Sequence, residues 1–440
     1  MAASRVRRRV FFGQASSLGL AAAAGVQAAS AAAVAGANER LVVGLIGCGA
    51  QGKNVGDAFA TLPHVEIAYA CDPDTARAGQ AQGAVKAGAS VADLRRVLDD
   101  KRVDAVIIAT PDHWHAPAAI LACDAGKHVY VEKPCSHSLR EGRLLLAAAR
   151  RSGVVVQHGT QSRSNPLVAD AVQLVREGAI GEVLVAKAWN VQRRANIGHM
   201  QPSEPPPGVD YDLWVGPAPF VPFQANRFHY NWRWWHRFGN GDVGNDGMHE
   251  LDYARWGLGV DALPTSIAGL GGKYFFDDDQ EFPDTATLVF EYASAGHEQK
   301  PRQLIFEMRL WSKAYPHNCD AGVEFYGTKG QLFVSKRGKV QLRDENNRPV
   351  EIKPRTVPNP IAEHAADFVD AIRQGRRPKA DIEEASRSTA LVHLGNTALQ
   401  LRRSLTFDPA TNRTVGDAEA DRLLDGTYRD GHWAVPQKSA

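Results

Sequence analysis

The stretch Leu41-Val42-Val43-Gly44-Leu45-Ile46-Gly47-Cys48-Gly49-Ala50-Gln51-Gly52 constrains this chain more than any other, because an apolar run breaks into glycines and then turns helical. It reads as the first parallel strand of a sheet feeding a dinucleotide-binding turn. Gly47 permits the tight turn, Gly49 lets the backbone approach a pyrophosphate, and Gly52 lets the next helix pack close to the strand, its first N–H groups facing the phosphates. Ala50 and Gln51 open that helix and belong to the same cradle. With 40 glycines in 440 residues a lone match arises easily by chance, so context decides. The next apolar run, Val65 to Cys71, ends in Asp72, roughly 20 residues on, where a carboxylate accepts the adenine-ribose hydroxyls. A carboxylate would repel a 2′-phosphate and no arginine follows it directly, so NAD is expected over NADP. Helix capping is the alternative role for Asp72, and the two can coexist.

The remaining bounds are broad. A 44% hydrophobic content over 440 residues is enough to bury a large core in two or three domains. Net charge is +2 with no long Lys/Arg run beyond the first dozen residues, which excludes a nucleic-acid footprint and leaves a small molecule as partner. Residues 1–37 are kept apart as a targeting segment: Arg8 and Arg9 precede Val10-Phe11-Phe12 and an Ala-rich, mildly apolar run, as in a twin-arginine export signal. That run is poorly apolar for a membrane span, so no stable anchor is expected, and the mature protein is expected in the periplasm or outside the cell. Five cysteines without a CxxC pair indicate buried free thiols rather than disulfides or zinc.

In chain order, the buried strand Val103 to Ala109 ends in Thr110-Pro111-Asp112-His113-Trp114-His115, and the strand His128 to Val131 ends in Glu132-Lys133-Pro134. Polar strand ends of this kind line the carboxyl edge of a parallel sheet, where ligands bind. Thr110, Pro111, His115, Glu132 and Lys133 are therefore placed at the cofactor, and Lys133 could also bind a substrate hydroxyl and stabilise the alkoxide formed on oxidation. Asp112, His113 and His115 are close together, but a nucleotide site needs no metal and none is expected.

The combination Gly47-Cys48-Gly49-Ala50-Gln51-Gly52, Ala109-Thr110-Pro111 and Glu132-Lys133-Pro134 resembles the glucose-fructose oxidoreductase/inositol dehydrogenase/rhizopine catabolism family, over about Leu41 to Trp433. The resemblance implies an α/β protein: an N-terminal Rossmann domain, taken as 38–160, and a C-terminal α/β domain, taken as 161–440, with an open, mostly antiparallel sheet that often forms the oligomer interface. It also implies oxidation or reduction of sugars, cyclitols and related diols with NAD(P).

At the crossover, Gln161 and Arg163 are candidates to touch cofactor and substrate, with simple loop capping as the alternative. A proline-rich loop, about Arg194 to Asn226, reads as a cover over the site and leads into Arg227-Phe228-His229-Tyr230-Asn231-Trp232-Arg233-Trp234-Trp235-His236. Trp232, Trp234 and Arg233 offer aromatic faces and a planar donor fork to a hydroxylated ring, though core packing competes for the tryptophans. Next, Asn245 and His249 stand four apart on one helix running to about Leu258 and share a face. His249 is the expected proton acceptor, its ordinary pKa of ~6.5 suiting a base near neutrality. The family places an aspartate where Asn245 stands, so negative charge is expected to be missing unless Asp246 supplies it.

From Thr285 to about Leu342 alternating segments, with Gly327-Thr328-Lys329-Gly330 as a hairpin turn, read as an antiparallel sheet whose uncovered face suggests a homo-oligomer contact. Helices over about Ile361 to Gln374 and Ile382 to Arg403 close the chain, and no chemistry is assigned to the tail through Trp433. Two other readings stay open: a glycoside-cleaving enzyme that retains NAD and oxidises its substrate transiently, and a non-catalytic sugar or nucleotide sensor.

Overall fold

The computed structural model describes residues 40–294, 300–353, 355–356 and 359–437. The export segment 1–37 lies outside the described residues. The first unit is a six-stranded parallel sheet built from β1 (Leu41–Ile46), β2 (Val65–Cys71), β3 (Ala89–Val91), β4 (Ala105–Ile108), β5 (His128–Val131) and β6 (Val156–His158). Its spatial order is β3-β2-β1-β4-β5-β6, the doubly wound dinucleotide-binding order, with the reversal between β1 and β4. Buried on both faces, β4 reads Ala-Val-Ile-Ile without alternation. Helices α1 (Ala50–Ala60), α2 (Thr75–Ala84), α3 (Arg95–Leu98), α4 (Asp112–Asp124) and α5 (Leu139–Ser152) connect the strands. The short β3 was not anticipated from the sequence.

The second unit is a ten-stranded sheet, β7 (Val183–Asn190), β8 (Ser266–Gly272), β9 (Thr285–Tyr292), β10 (Arg302–Arg309), β11 (Ala321–Gly327), β12 (Gly330–Ser335), β13 (Lys339–Asp344), β14 (Pro349–Val350), β15 (Leu405–Asp408) and β16 (Arg413–Thr414). Only the β7–β10 pair is parallel; all other pairs are antiparallel, as the alternating segments imply. The period of two is plain in β9, where Ala286, Leu288, Phe290 and Tyr292 are buried while Thr287 and Glu291 are exposed. The helices of this half are α6 (Pro166–Arg176), α7 (Tyr211–Val215), α8 (Gly241–Asn245), α9 (Gly247–Leu258), α10 (Pro360–Gln374), α11 (Ile382–Leu401) and α12 (Ala418–Asp425). Helix α9 packs on β7, β10 and β11. The opposite face carries half-buried Val185, Val289 and Ile305, with Leu270 and Tyr326 exposed.

The two units are bolted together by the end of the chain. Phe368 of α10 packs its ring 5.8 Å from Phe59 of α1 and 6.2 Å from Tyr130 of β5. Ile382 and Ala385, at the start of α11, join the core under β4 and β5, as does Ala434 of the tail. The last helices thus complete the first unit as much as the second.

Candidate active site

At the sheet's topological switch point the chain leaves β1 through Gly47, whose φ of +93° is a left-handed conformation. A Cβ on Gly52 would lie 1.9 Å from Gly47 O, so only glycine lets α1 sit this close to the turn. Gly49 is the N-cap of α1 and brings no capping side chain, leaving the first N–H groups of the helix to face the cleft. Asp72 Oδ2 accepts a hydrogen bond from Cys48 N (2.8 Å) and Oδ1 from Asp74 N (2.9 Å), which fixes the carboxylate at the cleft wall with a lone pair free on each oxygen. Burial pushes the Asp72 pKa up, against those backbone donors and Arg77. Arg77, which the sequence reading missed, lines the cleft beside Gly49 as a cation suited to a pyrophosphate. Thr110 Oγ1 is buried in the same wall with no hydrogen-bond partner among the described residues. An uncapped helix, a fixed carboxylate, a cation and an orphaned hydroxyl together fit an NAD-type dinucleotide.

The strand-end residues form one network. Glu132 Oε1 accepts from Gln51 Nε2 and from Gln161 Nε2, both at 2.9 Å, and Glu132 Oε2 accepts from Lys133 N at 3.2 Å. One carboxylate therefore ties the glycine turn, the crossover and the lysine. His115 spans the two loops, with Nδ1 2.6 Å from Pro134 O and Nε2 2.9 Å from Thr110 O, so its ring braces Lys133 from behind.

At the substrate end Lys133 Nζ donates to Asn245 O at 2.6 Å and to Asn245 Oδ1 at 3.3 Å. Asn245 Nδ2 in turn donates to Asp242 Oδ1 at 2.8 Å. The fully buried Asp242 thus holds the Asn245 amide and also pairs with Arg194 and Asn190, while the negative charge that reaches His249 is that of Asp246. The single helix expected here is two: the chain tightens at Asp246, where His249 N bonds to Asp246 O (3.1 Å), so Asn245 ends α8 and His249 lies in the first turn of α9. Asn245, Asp246 and His249 all still line the cleft. Asp246 pairs with Arg194; burial alone would raise its pKa, but Lys336, Arg194 and Lys133 together hold it well below the carboxylate range.

His249 departs from the expected near-neutral base. Burial, then Lys336 and Lys133, push its pKa far below the usual value against the opposing pull of Asp246, so the imidazole is neutral. Its Nδ1 is buried with no hydrogen-bond partner among the described residues. Lys336, from the turn between β12 and β13, ion-pairs with buried Glu250 (3.0 Å), whose pKa is pushed up to about 7 by burial. Nothing in the local sequence of Lys336 announces it; the pairing of β12 with β11, and of β11 with β7, brings it to the cleft.

Two expected substrate residues are turned elsewhere. Arg163 forms a sealed two-point ion pair with Asp252 (2.8 and 2.9 Å) and stacks over Trp256, so it is absorbed into the junction of the two units. Trp234 is 2% exposed and belongs to the second unit's core. Trp232 and Arg233 do line the cleft, Arg233 lying 3.8 Å over the Tyr230 ring and 5.1 Å from that of Trp232. No carboxylate pairs with Arg233 among the described residues. The proline-rich loop docks on the first unit, Thr75 N and Asp210 N bonding across to Gly208 O and Pro73 O. Trp433 of the tail lines the same cleft, 5.8 Å from the Trp114 ring and with Arg95 4.5 Å over its face. The whole cavity is about 690 Å³.

A family model described as an oxidoreductase family with an NAD-binding Rossmann fold matches residues 41–160. A second, described as the C-terminal alpha/beta domain of that oxidoreductase family, matches residues 178–271 and 319–435. Levoglucosan dehydrogenase of Pseudarthrobacter phenanthrenivorans is 29% identical over 341 residues, 69% of this chain and 76% of that protein. The NAD(+)-dependent scyllo-inositol 2-dehydrogenase of Bacillus subtilis is 26% identical over 278 residues, 62% of this chain and 67% of that protein. A levoglucosan dehydrogenase solved in complex with NADH and levoglucosan shares the fold, with a TM-score of 0.64 and 20% identity, covering 84% of this chain and 100% of that one.

Proposed function

The chain belongs to the Gfo/Idh/MocA family of NAD(P)-dependent oxidoreductases, and from that premise we propose that it oxidises a secondary hydroxyl of a sugar, cyclitol or related hydroxylated ring. The observation that carries this reading is Lys133 Nζ, held by Asn245 in a cleft that also presents neutral His249 and begins at the glycine turn. Gly49, Ala50, Gln51, Asp72 and Thr110 would hold the nucleotide, which when bound supplies the hydride acceptor. Lys133 Nζ, still held by Asn245, donates its remaining proton to the reacting oxygen and stabilises its developing negative charge. His249, neutral and with Nδ1 buried, receives the hydroxyl proton at Nε2. Asn245 keeps the ammonium aimed through Asp242, and Trp232 and Arg233 supply an aromatic face and donors to the ring.

The test follows absorbance of reduced cofactor while purified protein and NAD+ meet a panel of inositols, glucose and levoglucosan. At least one compound reduces the cofactor, and Lys133→Met lowers kcat by about 10²-fold or more without weakening NAD+ binding. No reduction with any ring compound, or an unaffected variant, overturns the reading. Two finer features go with it. The Arg8-Arg9 segment directs export of the folded protein, testable by replacing both with lysine and assaying the periplasmic fraction. The exposed sheet face with Tyr326 and Leu270 joins copies of the chain, testable by sedimentation of Tyr326→Lys. Among the described residues no helix is long and apolar enough to cross a membrane.

A further inference from the structure

Arg194 and Tyr230 stand between the cleft and a neighbouring space. A second cavity of about 510 Å³ lies beyond them, and these two side chains form part of the wall of both. It is large enough to take a small ring of its own, whereas the first cavity must take a dinucleotide and the reacting ring. Its wall is built rather than loose. Ile197 N donates to Asp278 Oδ2 (3.0 Å), Met200 N to Asp279 Oδ2 (2.9 Å), and Asn226 Nδ2 to Gly198 O (3.0 Å), so the segment that bounds it is pinned to the 277–279 turn.

The lining has two kinds of surface. Ile197, Met200, Ala225 and Trp234 are apolar, while Arg193 and Asn231 contribute a guanidinium and a carboxamide with no hydrogen-bond or ion-pair partner among the described residues. Apolar walls with a few convergent donors suit a pyranose, whose C–H faces are apolar and whose rim is hydroxylated. Arg233, stacked on Tyr230 at the border, faces the first cavity from the other side of the same divide.

We propose that the substrate is a saccharide of at least two rings, a disaccharide or a glycoside with a ring-sized substituent. The second ring occupies the cavity of Arg193 and Asn231 while the first is oxidised at Lys133 and His249. This rests on the sugar-dehydrogenase reading above. The experiment compares kcat/KM for glucose with that for maltose, cellobiose, trehalose and sucrose, using the full chain with NAD+, then repeats it with Ala225→Trp, which fills the cavity from an exposed position, and with Asn231→Leu. At least one disaccharide exceeds glucose by about tenfold or more, and each variant cuts that ratio by a similar factor while the Kd for NAD+ is unchanged. Disaccharides no better than glucose, or variants that lower both sugars equally, overturn the proposal. Reduction with cyclitols alone would also overturn it and leave the dehydrogenase reading standing. No reduction with any compound would overturn both.

Discussion

Asn245→Asp restores the residue type usual in the family, yet the geometry makes it a harmful change. In the native site Asn245 Nδ2 donates to Asp242 Oδ1 at 2.8 Å while Oδ1 accepts from Lys133 Nζ at 3.3 Å. The substitution puts a carboxylate oxygen where the donor was. Two unit charges at 2.8 Å repel by about 6 kcal/mol at an effective dielectric of about 20, and the attraction to Lys133 at 3.3 Å returns about 5. With the cost of partial burial added, the new carboxyl carries a net penalty of a few kcal/mol and a pKa raised by one unit or more. The side chain swings off Asp242, and Lys133 loses the acceptor that aims it. Steady-state kinetics across pH 5.5–9 is the assay. The expected outcome is a kcat/KM about tenfold or more below the parent at pH 8, recovering toward acid as the new carboxyl takes a proton and again donates to Asp242. A variant more active than the parent above pH 7 would refute the reasoning, because it would mean that the bond from the Asn245 amide to Asp242 is not what keeps the acceptor of Lys133 in place.

Further outcomes follow from the same geometry. Because burial, Lys336 and Lys133 keep His249 neutral, the parent shows no inflection near pH 6.5 in kcat/KM; Lys336→Met raises the His249 pKa and shifts the acid limb to higher pH, and an unchanged profile would remove His249 as the base. Arg163→Met leaves the Asp252 carboxylate buried, costing about 3–5 kcal/mol. Spread over a chain of this size that is a fall of about 3–6 °C in Tm. In the parent, burial of Asp252 is outweighed by Arg163, so its lowered pKa adds stability present above the unfolded value near ~4 and lost as pH falls through the folded one. In the variant the pKa is raised instead, so the deficit is full at neutral pH, narrows as pH falls to about 4 and closes only below the parent's lowered Asp252 pKa. A raised KM at unchanged Tm would return Arg163 to the substrate. Trp433→Ala removes one aromatic wall of the cleft and weakens NAD+ binding about tenfold by calorimetry, a loss of about 1.4 kcal/mol that is reasonable for one such wall.

The sequence by itself determined the parts of this protein whose physics is local. Gly47, Gly49 and Gly52 can be read because a left-handed φ, an uncapped helix start and a 1.9 Å approach each admit only glycine or strongly favour it. Period-two alternation announced β9 to β13 nearly to their ends, and the ends of β4 and β5 placed Thr110, Glu132 and Lys133 on one sheet edge. Tertiary structure decided whatever depended on partners distant in sequence. Arg163 and Trp234 look like ligand-binding residues until Asp252, 89 positions away, and the second unit's core claim them. Arg194, Lys336 and Trp433 look unremarkable until a docked loop, a sheet register and the returning tail deliver them to the cleft. The state of His249 belongs to this second class as well. A histidine's ordinary pKa can be read from its identity, but the burial and two cations that displace it come from strands and loops that only folding brings near.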